Sequence, residues 1–279
     1  MKKNVKRAAG WLFKYSFLVG WLVFLVIMFG WALLASLSTT REIFTNTLLK
    51  SGVQFKTYID LFENQSFGSY FVNSLIYTVT ACVGVILVAA PAAYILGRVP
   101  FRGRSLINSA FLTALSIPGV LIMIPLFSLF VQLKLTGSIF TLILVYIGTG
   151  VPFAIFLLTG FFASIPKELE EAAYIDGCGV IRTFAQIVLP VAQAGLITLS
   201  IFTFLGVWND YFYALIFANN PDTRTIALAM QAIVYGFSNS GNYAGIFATC
   251  IIVFLPTFIL YIFLSGKIIS GITVGSVKG

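Results

Sequence analysis

An acidic segment followed by two alanines is the part of the chain whose residue types and spacing point most clearly to chemistry. The segment reads Glu168-Leu169-Glu170-Glu171-Ala172-Ala173-Tyr174-Ile175-Asp176-Gly177, and Ile187-Val188-Leu189-Pro190 follows it. Its carboxylates can accept charge-assisted hydrogen bonds from the arginines of a protein partner. They suit the anionic inner face of a membrane poorly, because that surface attracts lysine and arginine. The residue types therefore predict docking rather than catalysis, with a solvated surface helix as the alternative.

A second candidate is Asp210, an acid near the end of an otherwise apolar stretch at 191–217. An ionisable residue within a membrane segment is by default a functional-site hypothesis. On the helix predicted for this stretch, Ser200, Thr203 and Asp210 fall within a stripe of roughly 80° on one face. The stripe predicts a substrate path or gate. The alternative that stays open is an interfacial acid beside neighbouring aromatic residues.

Other groups that could do chemistry are few. The chain has no histidine, which removes the commonest metal ligand and proton shuttle, and its three cysteines show no pairing pattern. A phosphate loop of the form G-x-x-x-x-G-K-[ST] is also missing, so this chain is not expected to bind a nucleotide through one. No metal site, cofactor or membrane-enzyme activity is therefore expected. Asn73 is a weaker candidate for the substrate path, and helix packing is its alternative.

The elements that must position these residues are membrane helices. Hydrophobic residues make up 59% of the chain and charged residues 9%, whereas about a quarter of a soluble domain is charged. Apolar stretches of about 18 residues or more indicate membrane-spanning helices. Six approximate spans result: Tyr15–Leu37, Tyr70–Leu96, Leu106–Leu133, Ser138–Ala163, Val191–Phe217 and Tyr243–Ser265. Pro118 and Pro125 are seven residues apart, so we expect them to share one face of the third span.

The basic residues fix a topology for these spans. With six spans and the N-terminus inside, twelve of the 17 lysines and arginines fall in inner segments. The positive-inside rule therefore places both termini in the cytoplasm. The net charge of +8 is mainly topological, so it does not indicate nucleic-acid binding. The sequence predicts an all-α polytopic membrane protein, with one membrane domain over 1–279 and a long inner loop at 164–190.

Local signals in the inner loop predict two short helices. We expect Ser164 or Ile165 at the N-cap and Pro166 near the first helical position, and the acids after it favour the positive end of the helix dipole. Gly177 supplies a C-terminal stop, so we expect a helix of about 11 residues, roughly 16 Å long. Ala172 and Ala173 are expected to form one small patch on it. A second helix is expected over about 180–188, leading to Pro190.

The spacing E-A-A-x3-G-x9-I-x-L-P resembles the cytoplasmic coupling motif of permease subunits of ABC importers. Further segments are similar to the carbohydrate-uptake branch, most of all to the maltose-type second permease. They are Phe101-Arg102-Gly103-Arg104, Phe161-Phe162-Ala163-Ser164-Ile165-Pro166-Lys167-Glu168, Trp208-Asn209-Asp210-Tyr211 and the ending at 270–279. The resemblance covers roughly residues 70–279, with about 70–270 as the core permease region.

The resemblance implies a role and a set of partners. ATPase coupling would fall to Glu168, Glu171, Ala172, Ala173, Asp176, Gly177 and Pro190, and Trp208 and Asn209 would join the substrate path. The partners would be a second permease subunit, two ATP-binding subunits that use ATP and Mg, an extracytoplasmic solute-binding protein and the lipid bilayer of the bacterial inner membrane. The expected cargo is a sugar or oligosaccharide. Glycerol-phosphate or another small polar solute is the alternative cargo, and a secondary transporter is the alternative class.

Overall fold

The computed structural model describes residues 2–64 and 66–276, with side chains described over 14–63 and 66–264. These residues are helical and contain no strand, which confirms the all-α prediction. The chain divides into two compact units, Met1–Ser66 with Met230–Leu255 and Phe67–Ala229 with Pro256–Gly279. One membrane domain over 1–279 stays a prediction. The last three residues of the predicted signature at 270–279 lie outside the described residues.

The helices are named in chain order. They are α1 (Lys2–Ser36), α2 (Thr40–Phe44), α3 (Lys56–Asn64), α4 (Phe67–Arg98), α5 (Arg104–Leu115), α6 (Gly119–Gln132), α7 (Ile139–Ser164), α8 (Glu168–Ile175), α9 (Val180–Thr183), α10 (Leu189–Val191), α11 (Gln193–Trp208), α12 (Phe212–Phe217), α13 (Ile226–Asn239) and α14 (Tyr243–Ser276). A π-helical turn, Phe184–Val188, joins α9 to α10, and a 3₁₀ turn, Pro221–Thr223, precedes α13.

The first unit is held together by aromatic contacts and a polar cap. Trp31 of α1 packs edge-on against Phe247 of α14, with ring centroids 5.2 Å apart. Where α1 gives way to α2, Thr39 and Glu42 form a capping box, in which each side chain accepts a hydrogen bond from the other residue's backbone amide. The Glu42 carboxylate also accepts a hydrogen bond from the Ser51 amide. One acid therefore fixes the segment between α2 and α3.

We expect this cap to weaken in acid. The hydrogen bond from the Thr39 amide, supported by the bond from Ser51, lowers the pKa of Glu42 from 4.5 to about 2. A group with a lowered folded-state pKa contributes stability above its unfolded pKa, and that stability is lost as the pH falls through the folded pKa. Hydrogen-exchange protection of the Thr39 and Ser51 amides should therefore fall between pH 4.5 and about 2. Glu42→Ala should remove the protection at neutral pH, whereas Glu63→Ala, at an exposed carboxylate, should not.

The second unit is built on the packing of α4 against α7 and α11. Its largest apolar cluster includes Val85 and Ala89 of α4, Leu158 of α7 and Leu199 of α11, all of them fully buried. Small residues allow the helices to approach closely. A Cβ added at Gly195 of α11 would lie 2.6 Å from the ring of Phe161 in α7, so this position accepts no larger side chain without rearrangement.

Four described helices are long and apolar enough to cross a membrane, and the number reaches six only if two bent helix pairs each count as one span. The six-span count and the position of the termini therefore stay predictions. The prediction of the third span as one continuous helix is wrong, because α5 and α6 meet at an angle of 101°. Pro118 lies in the break, not on a face shared with Pro125. Proline disfavours helical backbone at the residue before it and has no amide to donate, so α5 ends before Ile117.

The fifth predicted span, Val191–Phe217, is also interrupted. It consists of α11 and α12 with a break at 209–211, and a further bend of 74° separates Val180–Val191 from α11. Asn and Asp side chains compete for backbone hydrogen bonds and so end or start helices. Asn209 donates to the Leu205 carbonyl at 2.9 Å, and Asp210 accepts from the Ala214 amide at 3.0 Å. The predicted stripe that joins Ser200 and Thr203 to Asp210 is therefore wrong, because Asp210 is not on their helix.

Candidate functional site

The acidic segment forms α8, which is shorter than predicted. It has eight residues, hence a length of about 12 Å, and it begins at Glu168 with Lys167 at the N-cap. Neither Ser164 nor Ile165 caps it. Ile165 adopts an extended backbone with φ −71° and ψ 133°, as expected for a residue before proline. The three acids still occupy its first turn, where the helix dipole favours them.

Gly177 ends α8 in the way the sequence predicts. Its φ of +78° is left-handed, a conformation in which a Cβ is unfavourable. The Cys178 amide donates to the Ala173 carbonyl at 2.9 Å and the Gly177 amide to the Tyr174 carbonyl at 3.1 Å. These two bonds form a Schellman motif, which satisfies carbonyls at the helix end. The helix stop is therefore confirmed, and Asp176 lies exposed beside it.

The two faces of α8 are chemically different. Residues at 168, 171, 172 and 175 share one face by helical spacing and are all exposed, so we call Glu168, Glu171, Ala172 and Ile175 the outward face. Ile175 is 86% exposed and Ile181, just after the Gly177 turn, is 84% exposed. Ala173 is 3% exposed and packs inward, so the prediction of a single Ala172–Ala173 patch is wrong. The outward face combines acids, a small residue and an apolar side chain.

An ion pair that the sequence analysis missed holds the inward face. Arg98, the last residue of α4, donates from Nε to Glu170 Oε1 at 3.0 Å and from Nη1 to the Ile165 carbonyl at 2.8 Å. The pair is largely buried, with 5% and 12% of the two side chains exposed. The partners are 72 residues apart along the chain. The sequence gives only a weak signal for this ion pair, which is that Glu170 shares the inward face of α8 with Ala173.

Pro190 lies where the second half of the loop at 164–190 leads into α11. It stands at the first positions of α10, directly after the π-helical turn Phe184–Val188. Proline has no amide to donate to the preceding turn, and π-helical turns occur mostly as single turns within helices. The predicted helix over 180–188 is therefore α9 followed by this wider turn. Its Phe184 ring packs against Tyr94 of α4, with centroids 5.0 Å apart.

Asp210 joins three helices at the break between α11 and α12. Tyr146 of α7 donates its hydroxyl to Asp210 Oδ2 at 2.9 Å, and the Ala214 amide of α12 donates to the same oxygen at 3.0 Å. Next to it, the Tyr213 hydroxyl donates to the Gly119 carbonyl at 3.3 Å. Gly119 begins α6 at the other break. The ring centroids of Tyr146 and Tyr213 are 6.5 Å apart, so these two tyrosines connect the break before α6 to the break between α11 and α12.

The remaining substrate-path candidates do not gather at one site. Asn73 donates to the carbonyls of Asp222 and Arg224 at 2.8 and 3.1 Å, so its amide holds a loop. The same loop is held by the Tyr77 hydroxyl, which donates to the Thr223 carbonyl, and by Ser74, which accepts from the Ile226 amide. We call Asn73, Ser74 and Tyr77 the loop clamp. For Asn73, this packing role is the alternative to the substrate path that the sequence leaves open.

Along α11 the other candidates differ in exposure. Trp208 is 1% exposed and packs between Phe204 and Phe71, Ser200 and Thr203 are half-buried, and Asn209 is exposed. None of them lines the cavity of about 260 Å³ formed by Phe127, Thr136, Gly137, Ile216, Phe217 and Asn219. Their assignment to a substrate path stays a prediction.

The chain is similar to known transport proteins over most of its length. Residues 89–270 match the family model described as binding-protein-dependent transport system inner membrane component. A diacetylchitobiose uptake system permease of Streptomyces coelicolor is 31% identical over 95% of this chain and 88% of its own length. A trehalose transport system permease of Mycobacterium tuberculosis is 31% identical over 99% of this chain and 100% of its own.

A solved structure shares the fold. It is that of a bacterial ABC transporter involved in the import of the acidic polysaccharide alginate, with a TM-score of 0.80 at 20% identity, over 91% of this chain and 95% of that one. The family match and the two relatives cover nearly the whole chain together. The chain therefore belongs to the family of binding-protein-dependent transport system inner membrane components, and it is a multi-pass permease subunit of an ABC importer rather than an enzyme.

Proposed function

We propose that this permease subunit imports a sugar or oligosaccharide across the bacterial cytoplasmic membrane, together with a paralogous second permease and two ATP-binding subunits. An extracytoplasmic solute-binding protein delivers the cargo. ATP and Mg are bound and used by the ATP-binding subunits, and this chain supplies the membrane path and the docking element. The observation that carries the proposal is the outward face of α8, an exposed acidic and apolar surface on a helix with a fixed end.

The outward face suits a groove on a protein partner. Glu171 can accept a charge-assisted hydrogen bond from a partner's arginine, and Ala172 lets the helix approach closely. Ile175 and Ile181 offer apolar surface that an aqueous loop would not otherwise expose to this degree. Together these groups supply electrostatic orientation and burial, which is the usual division within a protein interface.

The carbohydrate class is supported by the relatives. The two curated relatives are named for diacetylchitobiose and trehalose uptake. Glycerol-phosphate or another small polar solute is the alternative cargo. A secondary transporter is disfavoured because such proteins use relays of buried ionisable groups. Asp210 is the one acid of the predicted spans, and its carboxylate is already engaged by Tyr146 and by the start of α12.

Reconstitution tests the proposal. The subunit, the second permease and the ATP-binding subunits should be placed in vesicles with the binding protein, and uptake of labelled oligosaccharides measured. Uptake should require both ATP and the binding protein. Uptake driven by an ion gradient without ATP would establish a secondary transporter, and uptake of glycerol phosphate in preference to sugars would establish the alternative cargo.

The predicted topology has its own test. Single cysteines at Lys56 and Asp222 should react with a membrane-impermeant maleimide added outside, and cysteines at Arg102 and Lys278 only after the membrane is opened. The expectation follows from the excess of basic residues in the predicted inner segments. Labelling of Lys56→Cys from the cytoplasmic side alone would reverse the orientation.

A further inference from the structure

α8 is attached to the membrane helices by side-chain bonds as well as by the chain itself. One guanidinium, that of Arg98, bonds both to Glu170 within α8 and to the Ile165 carbonyl just before it. The side chains of Arg98 and Glu170 are both nearly buried. Charge-assisted hydrogen bonds are the stronger kind, and a low-dielectric surrounding strengthens them further. α8 therefore cannot turn about its own axis without breaking a buried ion pair.

Aromatic packing holds the same segment at both of its ends. Tyr94 lies one turn before Arg98 on α4 and packs against Phe162 and Phe184, with ring centroids 6.0 and 5.0 Å away. Phe162 and Phe184 are themselves 6.2 Å apart. Phe162 precedes α8 in the chain and Phe184 follows it. The inner end of α4 thus contacts the segment before, within and after α8.

Without these contacts α8 would be joined to the bundle by two extended links. Ile165 precedes it with ψ 133°, and Gly179 follows the Gly177 turn with φ −74° and ψ 163°. Links of this kind contain no helical hydrogen bonds, so a force on the outward face could rotate α8 alone. The ion pair with Arg98 adds a third attachment, which joins the side of α8 to α4.

We propose that Arg98 and Glu170 are positioning residues that make α8 move as one body with α4, so that motion of a docked partner reaches the membrane helices. This rests on the proposed function of α8 as the docking element. Neither residue belongs to the outward face. Their role is to keep that face in a fixed orientation relative to α4 and the helices packed against it.

The first test uses the isolated subunit and needs no partner. A spin label is placed at Ile175→Cys, in a variant whose three native cysteines are replaced by alanine and whose unlabelled form still imports. Arg98→Gln and Glu170→Gln should each raise the mobility of the label. The exchange of charges, Arg98→Glu with Glu170→Arg, should restore most of the order, although a carboxylate at position 98 cannot donate to the Ile165 carbonyl. Arg102→Gln, which removes the same charge at an exposed position, is the control and should change nothing.

The second test uses the complete importer without the label. Arg98→Gln and Glu170→Gln should lower the solute imported per ATP hydrolysed by about fivefold or more, because the lost bonds are charge-assisted and buried. The exchanged pair should recover part of that ratio, and Arg98→Lys, which keeps the charge but loses the forked geometry, should lie between. Unchanged label mobility in both single variants, or an exchanged pair no better than either, would overturn the proposal. Failure of the wild-type subunit to retain any ATPase would instead count against the proposed function, since the label readout is independent of it.

Discussion

Replacing Glu171 with alanine and Gly177 with aspartate together should abolish import while the subunit stays in the membrane. The φ of Gly177 is +78°, and a residue with a Cβ costs about 1–2 kcal/mol in that conformation. The Schellman bonds at the end of α8 would be strained, and the turn that aims Ile181 would change. Loss of the Glu171 carboxylate would remove the proposed charge-assisted contact with the ATP-binding subunit, and such contacts are typically worth about 1.5–3 kcal/mol. The membrane helices use neither residue for packing.

The measurement is ATP-driven uptake, together with retention of the ATPase during purification of the tagged subunit. Both should fall to background in the double variant at unchanged membrane levels. Gly103→Asp is a matched control, because Gly103 also has a positive φ, +91°, with open space around it but lies outside the segment of α8. Normal uptake with copurification of the ATPase in the Glu171→Ala, Gly177→Asp variant would remove α8 from the coupling role.

The second large effect is expected at Asp210. Asp210→Ala should slow uptake by about tenfold or more without reducing assembly, because a hydrogen bond to a charged group contributes about 1.5–3 kcal/mol. The carboxylate ties Tyr146 of α7 to the first amides of α12, so its removal frees the break between α11 and α12. Broken helices of this kind line the cavities of membrane transporters.

Initial uptake rates at matched expression test this expectation. Asp210→Asn keeps an acceptor for the Ala214 amide and should be milder, and Tyr146→Phe should reproduce part of the Asp210→Ala effect because it removes only the hydroxyl. Glu63→Ala, at an exposed carboxylate of α3, serves as the control. If Asp210→Ala imports as fast as the wild type, the acid is an interfacial residue beside the aromatic side chains and has no gating role.

The parts of the fold that depend on local chemistry could be predicted from the sequence. Long apolar runs gave α4 and α7, and Gly177 signalled its turn because few residues other than glycine adopt a positive φ there. The break at Pro118 could not be predicted in the same way. Pro91 and Pro152 lie inside continuous helices, so a proline alone does not decide between a kink and a break. Whether neighbouring helices satisfy the freed carbonyls decides it, and that depends on tertiary structure.

The candidate site, too, could be predicted only where it depends on local chemistry. The outward face of α8 follows from helical spacing, but the inward face depends on Arg98, which belongs to a helix that ends 70 residues earlier. The sequence makes Asn73 a candidate for the substrate path because a polar side chain is unusual in an apolar helix. The structure supplies a different reason, since its partners are backbone carbonyls of a loop about 150 residues away. Contacts at such sequence distance leave no local pattern.

The loop clamp and the Arg98 ion pair have a joint consequence, because both are carried by α4. Asn73 and Arg98 are 25 residues apart on one helix, a distance of about 37 Å, which exceeds the roughly 30 Å hydrocarbon thickness of a bilayer. α4 therefore connects the loop at 222–226 to α8 through one continuous helix. Tyr77 of the loop clamp also packs edge-on against Tyr146, with ring centroids 6.2 Å apart, and Tyr146 donates to Asp210. The helix that carries α8 at one end is therefore in contact, at its other end, with the residues that hold Asp210.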